Sequence, residues 1–229
     1  MKIRWIAQGG YEMDIHGKQV LLDPYLSDIC ERVENAPRMV PAPIAPCECH
    51  PDYMLVTHDH MDHLDPDLAE VMDTSNVAFI CPQEVYDHLR KLNPNVVPEQ
   101  VRCVQAGDIV ECDGFTVTAA FAEHTPQAVG YVLEIQGKRY YFTGDTLYSE
   151  KVGADVNADV IFCCINGRAG NMSADEAVQV ALRSGASLAI PNHYGLFQWN
   201  TANPLSFTAP AQAAGLNTLV LDHAVWVEV

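Results

Sequence analysis

The sequence predicts an α/β fold held in one domain. Three observations carry that prediction. Short apolar runs of strand length recur along the chain, and stretches with helix-start signals are interleaved among them. Nearly every cluster of His and Asp follows directly on one of the strand-like runs, which is how a sheet edge gathers chemistry. The 229 residues are enough for one large core and few for two.

Composition narrows the class further. The apolar fraction of 48% fits a globular protein and excludes wholesale disorder. No apolar run reaches the length of a membrane span, and the first ten residues have too short an apolar core for an export signal, so a cytoplasmic location is expected. Thirteen Lys and Arg stand against 30 Asp and Glu, a net charge of −17. That field repels phosphate backbones, so nucleic acid is not an expected partner, and without a membrane-length apolar run neither is a membrane. A small anionic substrate remains compatible with a local cationic pocket, and assembly with identical chains is left open. Eight cysteines, at 30, 47, 49, 81, 103, 112, 163 and 164, read as free thiols. Cys47-Glu48-Cys49-His50 has the look of a metal clip but lacks a second Cys/His pair to complete it.

Residues 3–7, 12–15 and 19–22 read as strands joined by Gly9-Gly10 and His16-Gly17 turns, closing on Asp23-Pro24. Residues 27–51 are rich in proline without a clear period, and are expected to form an irregular loop over a pocket. A buried strand over 52–56 leads into Thr57-His58-Asp59-His60-Met61-Asp62-His63-Leu64-Asp65. Asp65-Pro66 supplies an N-cap and a first-turn proline for a helix to about 73. A strand over 77–80 and a helix over 83–92 follow, with Val85, Leu89 and Leu92 on one face. Further strands fall at 101–104, 108–112, 116–121, 129–135, 138–142 and 159–165. Ser173 and Glu176 form a capping box for a helix ending at Arg183. A strand over 188–191, a helix near 207–214 and a last strand over 218–221 complete the chain, with no internal repeat.

Five ligand-type side chains lie between His58 and His63. Imidazole and carboxylate suit zinc, manganese or iron, and the preceding strand fixes their geometry. A solvated turn would need no such density. The segment His58-x-His60-x-Asp62-His63 resembles the signature of the metallo-β-lactamase superfamily, with its four-layer αββα sandwich and a metal site at one edge. Gly144-Asp145-Thr146 and Asn192-His193 resemble its later motifs. The resemblance implies His58, His60 and His124 on one metal, Asp62, His63 and His193 on a second, and Asp145 bridging them. Two ions are implied, Zn or Mn, with one-metal occupancy left open. They would lower the pKa of a shared water towards about 7 and present it as the attacking hydroxide. Asp62 would orient that nucleophile and move its proton. Asp23 reads either as a turn cap or as a group supporting the metal ligands.

A narrower likeness spans almost the whole chain. Asn166-Gly167-Arg168, Gly170-Asn171-Met172 and Pro191-Asn192-His193-Tyr194 look like the L-ascorbate-6-phosphate lactonase-like branch. Many chains of that branch carry a longer charged insert between the first two runs, and this one does not. The likeness implies hydrolysis of a lactone or cyclic ester of a small sugar acid, with phosphorylation of that acid left open. Arg168, Asn171 and Tyr194 are the substrate-binding candidates, with Phe197 and Trp199 as wall residues. Arg168 reads equally as an anion clamp or a structural ion pair. Two alternatives use the same site: a phosphodiesterase for a small phosphate ester, and a non-hydrolytic iron redox protein. An acidic residue in place of a first-motif histidine would favour the latter, and His60 is intact.

Overall fold

The structure, a computed structural model, describes all 229 residues. The chain divides into two compact units. One comprises Met1–Val104, Leu196–Trp199 and Asp222–Val229, the other Gln105–Gly195 and Asn200–Leu221. No helix is long and apolar enough to cross a membrane.

The first unit contains β1 (Lys2–Ala7), β2 (Gly10–Ile15), β3 (Lys18–Leu22), β4 (Tyr53–Leu55), β5 (Ala78–Cys81) and β6 (Val101–Cys103). They stand side by side in chain order, with a C-terminal strand (Trp226–Glu228) added outside β1. The first three pairings are antiparallel and the last three parallel. Parallel neighbours need crossovers, and α2 (Pro66–Val71) and α3 (Gln83–Leu92) supply two of them. Met54, Val56, Leu64, Leu68, Phe79, Val85 and Leu89 form a common core that seats both helices. Burial of these side chains, at roughly 25 cal/mol per Å² of apolar surface, holds the end of β4 in place.

The second unit contains β7 (Ile109–Cys112), β8 (Phe115–Phe121), β9 (Val129–Ile135), β10 (Lys138–Phe142), β11 (Val160–Cys164), β12 (Leu188–Asn192) and β13 (Asn217–Thr218). Again three antiparallel pairings are followed by three parallel ones. The two sheets thus share a pairing pattern that no sequence repeat announces. Every residue of β11 is buried, and Phe142 stacks on Phe162 at 4.2 Å. Two helices, α4 (Ala174–Arg183) and α5 (Leu205–Ala213), lie in the crossovers on either side of β12. At the start of α4, Ser173 Oγ accepts from Glu176 N at 3.4 Å, and the Glu176 carboxylate accepts from Ser173 N at 2.8 Å.

Two expectations are corrected. The stretch 27–51 is not irregular throughout: it holds α1 (Ile29–Glu34) and a 3-10 turn, Pro46–Glu48. Of the six residues of α1 only Cys30 is buried and Asp28 makes no side-chain cap, so no apolar period or cap marks it. The strand expected over 218–221 is reduced to a two-residue pairing with β12, after which Leu219 and Val220 are exposed. The C-terminal strand had no amphipathic signal, since Trp226 lies 41% exposed with the Arg4 guanidinium over its ring. Cys47-Glu48-Cys49-His50 is no metal clip, because Cys49 is buried in the core of its unit while Cys47 is exposed. All eight cysteines are free.

Candidate metal centre

In the first unit the parallel register Leu22↔Leu55 brings the ends of β3 and β4 side by side. Asp23 and Thr57 therefore emerge together, and Asp23 N donates to Leu55 O at 2.9 Å. Asp23 is fully buried and sits in the left-handed region with φ 44°. Its Oδ1 accepts from Thr57 N at 2.7 Å, and its Oδ2 accepts from Thr57 Oγ1 at 2.7 Å. The same Oδ2 lies 2.8 Å from Nδ1 of His63. Because a carboxylate only accepts, His63 carries its proton on Nδ1 and presents Nε2 as the lone-pair nitrogen. Thr57 Oγ1 donates its only hydrogen to Asp23, so it accepts from His58 Nδ1, 3.0 Å away. His58 is thereby set in the same tautomer.

The motif then turns tightly, with His63 N and Leu64 N both donating to His60 O. This turn drops Leu64 into the core and brings the rings of His58 and His63 to 4.1 Å, tilted at 47°. Nε2 of His58 lies 3.0 Å from Nδ1 of His60. Two imidazoles on one tetrahedral zinc, with bonds of about 2.0–2.1 Å, present their nitrogens at nearly this separation. Asp62 is half-buried, and Gln8 Nε2 donates to its Oδ2 at 3.0 Å. The fully buried Asp65 caps α2 and also accepts from Leu26 N, Ser27 N and Ser27 Oγ. Burial raises its pKa, against the lowering effect of those hydrogen bonds.

In the second unit β8, β10, β11 and β12 all run the same way, so their C-terminal ends share one sheet edge. His124, Asp145, Asn166 and His193 follow those ends. Asp145 Oδ2 lies 3.0 Å from His193 Nε2 and 3.9 Å from His124 Nε2. It also accepts from Asn171 Nδ2 at 2.8 Å. His124 Nδ1 lies 3.1 Å from Gly170 O, which fixes its proton there and leaves Nε2 towards Asp145. Gly170 has φ 84°, and a Cβ on it would stand 2.8 Å from His124 Nδ1. His193 holds a left-handed backbone, φ 59°. Backbone bonds Leu147 N→Glu123 O and Met172 N→Thr146 O tie the loops that carry these groups.

Four of the seven ligand candidates, His58, His60, Asp62 and His63, thus cluster in the first unit, and His124, Asp145 and His193 cluster in the second. Histidine Nδ1 atoms tied to protein oxygens and Nε2 atoms left as lone pairs are what metal-ligating imidazoles require. The donor set of imidazole and carboxylate fits Zn, Mn or Fe. Asn171, a substrate candidate from the sequence, reaches Asp145 directly, and its Oδ1 is buried with no hydrogen-bond partner. Arg168 is exposed and Tyr194 is buried. Phe197 belongs to a core with Tyr25, at 5.7 Å, while Trp199 is 50% exposed. Sequence reasoning missed Gln8 and Thr57. A polar residue at a hairpin tip gives no sign of burial, and Thr57 was eclipsed by the histidines beside it.

These strand-end clusters in an α/β chain are those of a metallo-β-lactamase fold, and the comparisons agree. Residues 18–194 match the β-lactamase superfamily domain, and the chain belongs to that family. It is 27% identical over 240 residues to a UPF0173 metal-dependent hydrolase of Thermoplasma acidophilum, covering 100% of this chain and 99% of that one. Among solved structures, Igni18, a metallo hydrolase from Ignicoccus hospitalis, aligns with TM-score 0.77 at 20% identity, covering 100% of this chain and 98% of the other. An isothiocyanate hydrolase from Delia radicum gut bacteria gives TM-score 0.80 at 16% identity, covering 100% and 99%. At such identities the structural likeness speaks for the fold alone.

Proposed function

We propose that the chain is a metal-dependent hydrolase whose substrate is a lactone or related cyclic ester of a small, phosphorylated sugar acid. The observation that carries the hydrolase reading is the fixed tautomer of His58, His63 and His124, each with Nδ1 engaged by a protein oxygen. On this reading the seven ligand-type residues serve one centre, as the family order implies. His58, His60 and His124 would hold one ion and Asp62, His63 and His193 the other, with Asp145 available to either. Bound Zn or Mn would activate water and stabilise the charge that develops on the substrate oxygen. Asp62 takes the proton from the attacking water as the new carbon–oxygen bond forms. It returns that proton to the departing ring oxygen as the ester bond breaks.

Arg168 is assigned to the anionic end of the substrate, since a guanidinium matches phosphate or carboxylate in a bidentate fork. Asn171 Oδ1 is assigned to a substrate hydroxyl, being a buried acceptor with no bond of its own. Tyr194 is placed on the pocket wall. The enzyme is taken to act in the cytoplasm on small molecules, in line with its charge of −17. Both units are taken as parts of one hydrolase domain, because the first resumes at Leu196–Trp199 and again at Asp222–Val229.

The test is hydrolysis of a lactone panel, with and without a terminal phosphate, by metal-stripped protein reloaded with Mn²⁺ or Zn²⁺, phosphodiesters being run alongside. Turnover of a phosphorylated lactone, lost in Asp145→Ala, is expected. Turnover of phosphodiesters alone would discard the substrate class and keep the hydrolase.

A further inference from the structure

We propose that Gln8 is the positioning residue of Asp62, acting through the carboxylate to fix how Asp62 meets the metal. The inference rests on the metal-centre reading above and names a residue that the His/Asp motifs do not contain. Gln8 stands at the tip of the β1–β2 hairpin, where polar side chains ordinarily face water, yet its exposure is 0%. Its Nε2 donates to Asp62 Oδ2 at 3.0 Å across 54 residues of sequence. Its Oε1 is buried and has no hydrogen-bond partner, so the orientation of the amide answers to Asp62 alone.

The backbone is bent to deliver that amide. Ala7 and Gln8 both lie in the left-handed region, at φ 87° and 54°, and the strand register shifts between Trp5 and Ala7. Two consecutive non-glycine residues held there are strain that persists only where the surroundings enforce it. The enforcing contact is visible: Trp5 Nε1 donates to Gln8 O at 2.9 Å, itself buried. The next residue, Gly9, packs against the His63 ring so closely that a Cβ would meet Cε1 at 2.8 Å. One hairpin tip therefore touches two ligand candidates, Asp62 through a hydrogen bond and His63 through van der Waals contact. A glutamine fits this task because it reaches the carboxylate with an N–H donor and brings no charge of its own.

With one oxygen of Asp62 held by Gln8, the rotamer of the carboxylate is fixed before any ion arrives. Without the donor the side chain must be ordered on binding, and partners of this kind typically change metal affinity by about 10–100-fold. The test is a comparison of four proteins: native, Gln8→Met, Asp62→Ala, and the double variant. Each is titrated with Zn²⁺ against a chelating dye, and with Co²⁺ while the visible spectrum is recorded. Gln8→Met should weaken Zn²⁺ binding about tenfold or more and alter the Co²⁺ spectrum. Added to Asp62→Ala it should change neither. Unchanged affinity and spectrum in Gln8→Met would overturn the proposal, as would an equal weakening in the Asp62→Ala background, which marks a purely structural role. Should Gln8→Met fail to fold, Gln8→Asn carries the same comparison, since its amide stops one methylene short. A native chain that binds neither ion would overturn the metal-centre reading itself, and this inference with it.

Discussion

Asp23 Oδ2 lies 2.8 Å from His63 Nδ1, with both side chains wholly buried, and the same oxygen accepts from Thr57 Oγ1. One carboxylate therefore sets the tautomer of two imidazoles, His63 directly and His58 through the threonine hydroxyl. Asp23→Asn would place an N–H against a position that must accept. Either the His63 proton moves to Nε2, which removes the ligand lone pair, or a buried donor loses its partner. Zn²⁺ affinity, read by competition with a chelating dye, should fall about 10–100-fold. Full affinity in Asp23→Asn would show that Asp23 merely caps a turn.

Gly170 and His124 give a second, steric prediction. Gly170→Ala adds a methyl 2.8 Å from Nδ1 of the imidazole, on a backbone held at φ 84°. The strain should cost about 1–3 kcal/mol, seen as a fall of several degrees in the melting temperature of metal-stripped protein. The displaced ring should also bind Zn²⁺ more weakly. A variant that melts and binds like the native chain would mean that the loop after Arg168 yields freely.

On the proposed mechanism, a change at Asp62 separates binding from turnover. Asp62→Asn keeps an oxygen for ligation and keeps the side chain's size, but cannot take a proton. With a substrate from the lactone panel, metal content should stay close to native while kcat falls by about 10²–10⁴-fold, the usual worth of general acid–base catalysis. Retained turnover would remove Asp62 from proton transfer.

How much of this was legible follows from where the information lies. The His58–His63 run stood out because its ligand-type side chains are compressed into six positions after an apolar strand. The meeting of His124, Asp145 and His193 at one sheet edge was legible because each follows a strand, and the end of β10 and both ends of α3 fall where the pattern put them. Gln8 could not be read, since its contact with Asp62 depends on a hairpin meeting a loop 54 residues away. The role of Asp23 was ambiguous for the same reason: a turn cap and a histidine partner have one sequence and differ only in the neighbour. The helix α1 and the C-terminal strand escaped because most of their side chains are exposed and impose no period. Local pattern marks what is buried within an element, and the supporting contacts of a site are made between elements.

The cysteines allow a prediction about reactivity that needs no substrate. A thiol reacts as thiolate, so burial and a raised pKa both suppress alkylation. Burial pushes Cys30, Cys49 and Cys164 up to about 12 and Cys112 to about 11, and raises Cys81 and Cys163 as well. Even at pH 9 these six remain almost wholly protonated in the folded chain, because the pH stays below each raised value. Cys47 and Cys103 are exposed, but burial of part of Cys103 and the nearby Asp87 charge raise its pKa too. Iodoacetamide at pH 8 followed by mass spectrometry should therefore label Cys47 first, Cys103 more slowly, and the others only after denaturation. Early labelling of Cys163 or Cys164 would show that the sheet edge carrying Asp145 and His193 opens in the native state, since both thiols are fully buried in β11.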